Sequence, residues 1–406
     1  QPYGATANDL PTRGRFSPFL FSGISFSTGG YSAEYGEALS SILSLNTNDD
    51  VLQEQTEISL MSVGLGLGNT QRWDKSSLTF NMSYINLAPY QLMVPQEVDW
   101  NKPYQSLTGE TVFRRQFKNG LLKIYASLDV ADFDLNQEDI NQPEKVRFDL
   151  RNDNFYGNAS YKGTFGENWN LHTGVSYGLG LNKIGINSNQ VKNDENAIHL
   201  KMKVGKKITE RIKITAGADY FVTDFDEEFT EFEGQSFNVG YQNSIAAAYA
   251  ESDIFFSKKL AMKIGARASQ NSLLDEFRLS PRASFAYKVS KNGQFSFAYG
   301  DFVQTPRADY IKYSNDFESE KASHYILNFQ HNKDGRLFRA EAYYKKYDDL
   351  VKFDTNIAQF NSVFTNEGSG FAKGLDIFWR DNKTFKNTEY WVSYSYIDTE
   401  RDYLNF

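Results

Sequence analysis

The chain of 406 residues has a formal net charge of −8 and contains no cysteine. This modest acidic excess offers no basic surface for nucleic acid, so no nucleic-acid partner is expected. The absence of cysteine excludes disulfides, thiolate metal ligands and a cysteine nucleophile. Aromatic residues make up 16% of the chain, with 25 Tyr and 33 Phe. That composition is typical of pleated, half-buried strands and not of a disordered chain.

The first 48 residues mix Gly, Ser and Pro with short apolar stretches, which predicts a compact and irregular unit. The stretch ALSSILSLNT at 38–47 predicts one strand leaving that unit. The opening QPYGATANDLPTRGR is polar and rich in Gly and Pro, unlike a secretory signal peptide. We therefore expect the chain to be a mature or trimmed fragment of a longer protein.

Beyond about residue 55 the apolar residues recur at every second position, which is the period of a β-strand. In AIHLKMKVG, for example, Ile198, Leu200, Met202 and Val204 alternate with His199, Lys201 and Lys203. Many such runs extend over roughly 12 to 17 residues, whereas strands of globular proteins usually have about 5 to 6. Mean hydropathy is −0.55, but a membrane barrel shows lipid only alternate residues, so a low average does not exclude one.

The connections between these runs alternate between short turns and longer polar loops. Short turns are predicted at 117–120, 165–168, 206–211, 256–259, 289–293, 332–336 and 381–387. Longer loops are predicted near 89–108, 135–147, 185–195, 226–238, 273–279, 305–318 and 353–369. This asymmetry is typical of an antiparallel up-and-down transmembrane β-barrel, with tight turns on one side and extended loops on the other.

We count about sixteen strands. If 73–77 is a short turn like the others, residues 50–72 must hold two strands, which gives about seventeen. Aromatic residues are frequent near the predicted strand ends, where amphipathic rings would lie at the lipid headgroups. They are Phe117, Phe165, Trp169, Phe255, Phe256, Phe302, Trp379, Tyr390 and Trp391. Outer-membrane lipid is therefore an expected partner.

Three motifs, in order, carry a family resemblance. The stretch YGEALSSILSLNTND resembles the end of the plug domain of TonB-dependent outer-membrane receptors. The wider FSTGGYSAEYGEALSS is similar to the form in Bacteroidetes receptors that carry a carboxypeptidase-regulatory-like domain. Further on, SPRASFAYKVSKNGQFSFAYGDFVQTPR at 280–307 resembles a mid-barrel hairpin, and NEGSGFAKGLDIFWR at 366–380 resembles a strand start of this family. The plug signature is Gly29, Gly30, Tyr31, Ser32, Glu34, Tyr35 and Gly36.

The resemblance implies an all-β fold in which 1–48 are the C-terminal part of a lumenal plug and 49–406 form the barrel wall. Barrels of this family have 22 strands, so we expect about five to be missing at the C-terminus. The implied function is uptake of a scarce extracellular nutrient across the outer membrane of a Gram-negative bacterium. Plug movement would be energised by the TonB–ExbB–ExbD complex, without enzymatic activity. A passive outer-membrane porin or adhesion barrel, and a soluble all-β enzyme or carbohydrate-binding protein, are the alternatives.

Two groups of residues are candidate sites. By the family's plan, Arg13, Arg15 and Phe16 belong to plug loops that help to hold the substrate, and two arginines suit an anionic group. These arginines could instead pair with acids of the barrel lumen such as Glu341. The acidic stretch 224–235 is predicted to be an external loop, and its carboxylates could bind a cation or remain solvated. They include Asp224, Asp226, Glu227 and Glu228.

No catalytic or cofactor motif is recognisable. The four histidines, His172, His199, His324 and His331, are scattered along the chain. Neither a glycine-rich phosphate loop, nor a nucleophile elbow, nor a zinc-ligand spacing is present in the sequence. No metal, cofactor or catalytic residue is therefore assigned. Ferric siderophore, cobalamin, glycan and peptide all remain open as the substrate.

Overall fold

The computed structural model describes residues 20–51, 53–95, 99–138 and 143–404. In these ranges the chain forms nineteen strands and two short helices, α1 (Ala88–Met93) and α2 (Ala308–Ile311). None of the helices in these ranges has the length and apolar character needed to cross a bilayer. The first strands are β1 (Phe21–Ser27), β2 (Ile42–Thr47), β3 (Gln55–Met61), β4 (Gly64–Trp73), β5 (Ser76–Asn86), β6 (Asp99–Phe117), β7 (Gly120–Gln137), β8 (Val146–Phe165), β9 (Trp169–Ile186) and β10 (Asn189–Thr209). The others are β11 (Ile212–Thr230), β12 (Ser236–Phe255), β13 (Leu260–Asn271), β14 (Glu276–Lys288), β15 (Gly293–Gln304), β16 (Glu320–Lys333), β17 (Arg336–Phe353), β18 (Phe364–Asp381) and β19 (Tyr390–Arg401).

Strands β3 to β19 form one antiparallel sheet in which each strand pairs with its neighbours in the chain. The sheet curls into a barrel in whose strand order β19 lies next to β3. In the described ranges the wall has seventeen strands, which confirms the higher of the two counts. Residues 50–72 do hold two strands, β3 and most of β4.

The two faces of β10 confirm the predicted alternation. Ile198, Leu200 and Met202 point out of the barrel and are 42%, 46% and 51% exposed. Lys201 and Lys203 point into the lumen, where both contact Glu34. The wall therefore presents apolar side chains outside and polar side chains inside, as a barrel in lipid requires.

Several of the longer loops predicted from the sequence are wrong in extent, since β14 begins within 273–279 and β18 within 353–369. Strand β9 ends at Ile186 and β10 begins at Asn189, so most residues of the predicted loop 185–195 are paired in the wall. Strand β6 begins at Asp99, within the predicted loop 89–108, and β11 continues to Thr230 in the predicted loop 226–238. These strand ends carry polar residues on both faces, so they lack the alternation by which a strand is recognised. The longest connections lie at the same end of the barrel and include 305–319 and 354–363; we call this the long-loop end.

Most of the aromatic residues predicted near strand ends lie on the outer surface, but Phe302 does not. Phe117, Phe165, Phe255, Phe256 and Trp391 are exposed. Phe302 is only 1% exposed and faces the lumen from β15, next to Tyr31. Its assignment to the headgroup region is therefore wrong, because alternation along β15 places it on the inner face.

Residues 20–48, the N-terminal segment, pack against the inside of the wall. Among the described residues, strands β1 and β2 pair with each other alone. Leu20 is buried against Val112 and Tyr125 of the wall. The end of the segment lies beside β6 and β7. There Arg114 Nε donates to the Asn48 carbonyl at 2.6 Å, and Lys123 Nζ donates to the Thr47 carbonyl at 2.9 Å.

Candidate functional site

The irregular stretch between β1 and β2, residues 28–40, lies against the inner face of strands β10 to β17. We call residues 28–40 the docking segment and the wall side chains that hold it the socket. The socket consists of Lys201, Lys203, Glu251, Arg267, Arg282, Phe302, Thr305, His324 and Lys345. It is built mainly from charged and polar groups.

Tyr31 is the aromatic anchor of the docking segment. Its ring centroid lies 4.3 Å from that of Phe302, and the guanidinium of Arg282 lies 4.4 Å from the Phe302 centroid. Gly300 pairs with Arg282 on one side and with His324 on the other. A Cβ atom at this glycine would lie 2.9 Å from Phe302 Cζ. Gly300 therefore creates the space in which the Phe302 ring folds against the wall between these two polar side chains.

Arg282 holds the docking segment through backbone carbonyls. It donates to the carbonyl oxygens of Tyr31 at 3.2 Å, of Tyr35 at 2.8 Å and of Ser32. The side chain is buried, so these oxygens compensate for the water that its charge has lost. Hydrogen bonds that involve a charged group are about twice as strong as neutral ones.

Carboxylates on both sides of the interface complete the contact. Glu251 accepts from the Ser32 hydroxyl and from the Ala33 amide, both at 2.6 Å. Glu34, from the docking segment, lies 2.8 Å from Lys201 Nζ and 2.7 Å from Lys203 Nζ. Burial by itself raises the pKa of Glu34, but the hydrogen bonds from the two lysines outweigh it and the pKa is lowered.

A buried ion pair supports this part of the wall. Arg267 Nη1 lies 2.8 Å from Asp219 Oδ2, and His199 Nε2 lies 3.1 Å from the other oxygen of the same carboxylate. The same Arg267 nitrogen is 3.4 Å from the carbonyls of Ala33 and Glu34. The wall thus orients Arg267 towards the docking segment through Asp219.

The ends of the docking segment are fixed by close backbone approach. Gly30 has φ +61°, and a Cβ atom there would lie 2.7 Å from the Ala298 Cβ atom; both facts favour glycine at this position. His324 is fully buried and its Nε2 lies 2.7 Å from the Leu39 carbonyl oxygen. Lys345 donates to the carbonyl of Ser40 at 3.0 Å and also to that of Thr28.

Glu37 connects the docking segment to the long-loop end. Its Oε2 accepts from the amide of Thr305 at 2.9 Å and from the Thr305 hydroxyl at 2.7 Å. Thr305 is the first residue after β15, and its hydroxyl also accepts from Asn271 Nδ2 at 2.9 Å. Burial raises the pKa of the Glu37 carboxyl, although the bonds from Thr305 oppose that rise.

Residues 5–405 match the family model described as TonB dependent receptor-like, beta-barrel. The chain belongs to this family. It is thus an outer-membrane barrel of the TonB-dependent receptor type. No match was found among curated proteins.

Solved structures with the same fold include three outer-membrane proteins. The outer membrane transporter YddB from Escherichia coli superposes with a TM-score of 0.73 at 10% identity, covering 94% of this chain and 64% of that protein. For the siderophore receptor PirA from Pseudomonas aeruginosa the TM-score is 0.71 at 10% identity, and the match covers 93% of this chain and 72% of that protein. For the alcaligin outer-membrane receptor FauA from Bordetella pertussis the TM-score is 0.69 at 11% identity, and the match covers 94% of this chain and 68% of that protein. At such low identity the likeness concerns the fold alone.

The receptor fold brings one predicted group of residues together and separates another. The signature from Gly29 to Gly36 lies in the docking segment at the centre of the socket. Arg13, Arg15 and Phe16 lie outside the described residues. Glu227 faces the lumen and pairs with Lys312 at 2.9 Å, while the alternate residues of β11 face out. The outward-facing acids are Asp224, Asp226 and Glu228.

The stretch 224–230 is therefore a strand and not the predicted loop, and the four acids do not converge. In the part of the chain that the structure describes, no group of three or more His, Asp or Glu residues has the spacing of a metal site. The sequence did not point to Glu251, Arg267 or His324 as partners of the docking segment. Only their inward-facing positions on alternating strands indicate that they could meet something in the lumen.

Proposed function

We propose that this receptor binds a scarce nutrient at the cell surface and admits it to the periplasm when energised movement frees its plug. In this proposal residues 1–48 are the C-terminal part of the plug and 49–406 belong to the barrel. The energy comes from the TonB–ExbB–ExbD complex, and the ligand enters from outside. The role is one of binding and transport and not of catalysis. The Bacteroidetes subtype remains a prediction from the motif FSTGGYSAEYGEALSS.

The observation that carries this proposal is the polar character of the socket. Few docking-segment side chains are buried apolar groups, chiefly Tyr31, Ala33 and Leu39. The remaining contacts are hydrogen bonds and ion pairs such as those of Arg282, Glu251 and Glu34. Hydrogen bonds to charged groups contribute about 1.5–3 kcal/mol each when intact, and water can replace them once the segment moves. Such an interface suits a segment that is held firmly, released and docked again.

The test is growth of the native bacterium after deletion of the whole gene, on single iron and single carbon sources. A transporter of this class is expected to lose growth on one source, and a strain without TonB is expected to lose growth on the same source. A passive porin would support uptake in the strain without TonB. Growth of the deletion strain equal to the parent on every source would argue against uptake altogether.

A further inference from the structure

One stretch of strand β12 extends past its neighbour in the wall. β12 pairs with β11 from Ser236 onwards, whereas its pairing with β13 begins only at Ile245. The reason is that β13 ends at Asn271, where the chain turns back into β14. Residues 236–243 therefore have a paired strand on one side and, among the described residues, none on the other. We call these residues the overhang.

The registers and turns show which backbone groups face the open side of the overhang. Backbone groups of alternate residues point to opposite sides of a strand. The Gln235 carbonyl accepts from the Glu231 amide in the hairpin with β11, so odd-numbered residues bond towards β11. Ser244 bonds in the other direction, because its carbonyl accepts from the Ser272 amide and its own amide donates to the Ser272 hydroxyl, both at 2.9 Å. The backbone groups that point to the open side are those of the exposed residues Ser236, Asn238, Gly240 and Gln242.

The overhang lacks the features that usually keep an edge strand from pairing. Natural sheets protect an edge with charged residues, proline or bulges. The overhang reads SFNVGYQN, with neither a charge nor a proline, and its register with β11 runs without a bulge. The start of β6, residues 99–104, also extends past its neighbour β5, but it contains Lys102, Pro103 and two register irregularities. The overhang is thus open to a further strand where β6 is protected.

The overhang lies beyond the lipid. Gln242 precedes the end of β12 at Phe255 by 13 residues. That is about 33 Å of height at roughly 3.3 Å per residue and a tilt of about 40°. The apolar band of an outer-membrane barrel is only about 25 Å tall. Other proteins at the cell surface can therefore reach the open side.

The outer face next to the open side is acidic. Three acids of β11 are register partners of the overhang, namely Asp224, Asp226 and Glu228, opposite Gln242, Gly240 and Asn238. A Cβ atom at Gly240 would lie 2.9 Å from Asp226 Oδ1. The Asp226 carboxylate therefore extends over the glycine, with no side chain between it and an added strand. Opposite charges on neighbouring strands stabilise a sheet, so an added strand is expected to carry Lys or Arg on its outer face.

The lumenal face of the overhang is apolar. Val239 and Tyr241 alternate with the exposed residues and are half-buried. Together with Leu273 and Leu274 at the tip of the β13–β14 hairpin, Tyr241 packs against a buried cluster of Ile311, Phe317 and Val351. A strand added above this tip would place its inner side chains beside the same cluster. Apolar residues are therefore expected on that face of the strand.

We propose that the overhang pairs with an extended segment of another cell-surface protein in which basic residues alternate with apolar ones. The backbone groups of the overhang provide the ladder, and the acids of β11 select the basic side chains. The bound segment would continue the wall above β13 and would not enter the lumen, so it is a partner and not a transported solute. The inference is independent of which nutrient is taken up.

The test is a fluorescence-anisotropy titration of the complete receptor in detergent. The probe is a labelled heptapeptide of alternating Lys and Val, used free and fused to the C-terminus of thioredoxin. One comparison peptide has Glu in place of every Lys. The other has Pro in place of every Val, which keeps the charge but removes backbone donors. The basic probe is expected to bind in both forms, and neither comparison peptide is expected to bind.

Two receptor variants test the ladder and the charge, each with a matched control. Asn238→Pro removes an N–H that points to the open side and is expected to weaken binding about tenfold or more. Asn238→Ala removes the same side chain but keeps the N–H. Asp226→Asn is expected to weaken binding about threefold. Asp153→Asn makes the same change in the same row, three strands away on β8. Heat-modifiable migration on gels verifies that each variant is folded.

Binding of the basic probe in both forms, weakened by Asn238→Pro and Asp226→Asn but by neither control, supports the proposal. Binding of the free peptide without the fusion would indicate a lumenal site and overturn it. Absence of binding, equal affinity for a comparison peptide, or equal affinity within either pair of variants would overturn it too. Receptor dimers that Asn238→Pro dissociates would show that a second copy occupies the overhang, which also contradicts the proposal.

Discussion

Glu37 accepts two hydrogen bonds from Thr305 on one carboxylate oxygen, from the amide at 2.9 Å and from the hydroxyl at 2.7 Å. Glu37 belongs to the docking segment, whereas Thr305 opens the connection 305–319 at the long-loop end. A displacement of that connection therefore acts directly on the docking segment.

Leu39 is buried in the docked state and the chain has no cysteine, so Leu39→Cys provides a thiol whose labelling rate reports undocking.

Glu37→Gln is expected to strengthen docking at neutral pH. Burial raises the pKa of Glu37 above its usual 4.5. The stabilisation of the docked state by the Glu37 carboxyl is therefore fully present below pH 4.5 and is lost as the pH rises through the raised pKa. Glutamine carries no charge, and its oxygen can still accept from Thr305. In the Leu39→Cys background, labelling should be slower for the variant at pH 7.5 and equal at pH 4. Faster labelling at pH 7.5 would contradict the raised pKa.

Glu34→Gln is expected to have the opposite dependence on pH. The lysines lower the pKa of Glu34 below 4.5 despite its burial. The stabilisation of the docked state by the Glu34 carboxylate is therefore present above pH 4.5 and is lost as the pH falls through the lowered pKa. The variant should label faster than the parent at pH 7.5, and the difference should shrink in acid. The same ratio at every pH would show that Glu34 contributes by packing alone.

Arg282→Met is expected to loosen the docking segment most. The change leaves the carbonyls of Tyr31, Ser32 and Tyr35 without their donor. A loss of about 3 kcal/mol corresponds to about 100-fold faster thiol labelling at Leu39→Cys. Arg339→Met is the control, because Arg339 also faces the lumen but, in the part of the chain that the structure describes, donates to Gln330 at 3.3 Å and not to the docking segment. An equal effect of both changes would mean that any lumenal arginine matters.

A disulfide between Gly30→Cys and Ala298→Cys is expected to stop transport without preventing ligand binding. The Cβ atoms would lie 2.7 Å apart, against about 3.8 Å in a relaxed disulfide, so the backbone must move apart by about 1 Å and must accept a non-glycine residue at φ +61°. Uptake by cells is measured before and after reduction, with each single cysteine variant as control. Reduction should restore uptake. Full uptake by the oxidised receptor would show that the docking segment stays in place during transport.

Lys312→Met is expected to free the connection 305–319. Both side chains of the Lys312–Glu227 pair are largely buried, and removing one partner of such a pair costs about 3–5 kcal/mol because the other charge is left alone. Chymotrypsin should cleave the variant faster at Tyr310 and Tyr313. Adding Glu227→Leu should restore protection, since loss of both charges is close to neutral. Asp309→Asn, at an exposed residue 4.0 Å from Lys312, should change little.

Alternation along the sequence was enough to predict the barrel and the two faces of strands such as β10. On β10 it places Leu200 outside and Lys201 inside, as found. The signal fades where a strand rises beyond the lipid, because water then lies on both of its faces. This is why Ile186 and Asn189, at paired strand ends, fell in a predicted loop.

The partners inside the barrel could not be predicted in the same way. Arg282 and Tyr35 meet across 247 residues of chain, and alternation indicates only that Arg282 points inwards. The contact of Phe302 with Tyr31 depends likewise on how the docking segment fills the lumen. The motif residues Gly30 and Tyr31 indicated that a docked segment exists, but not which strands hold it.

The length of the wall strands determines what can reach the lumen. Strand β8 has 20 residues, about 65 Å at roughly 3.3 Å per residue, or about 50 Å of height when tilted by about 40°. The apolar band of an outer-membrane barrel is only about 25 Å tall. The remaining height, about 25 Å, therefore lies outside the apolar band, where water surrounds the strands. A solute that enters the lumen has to pass between these hydrated strand ends before it reaches the docking segment.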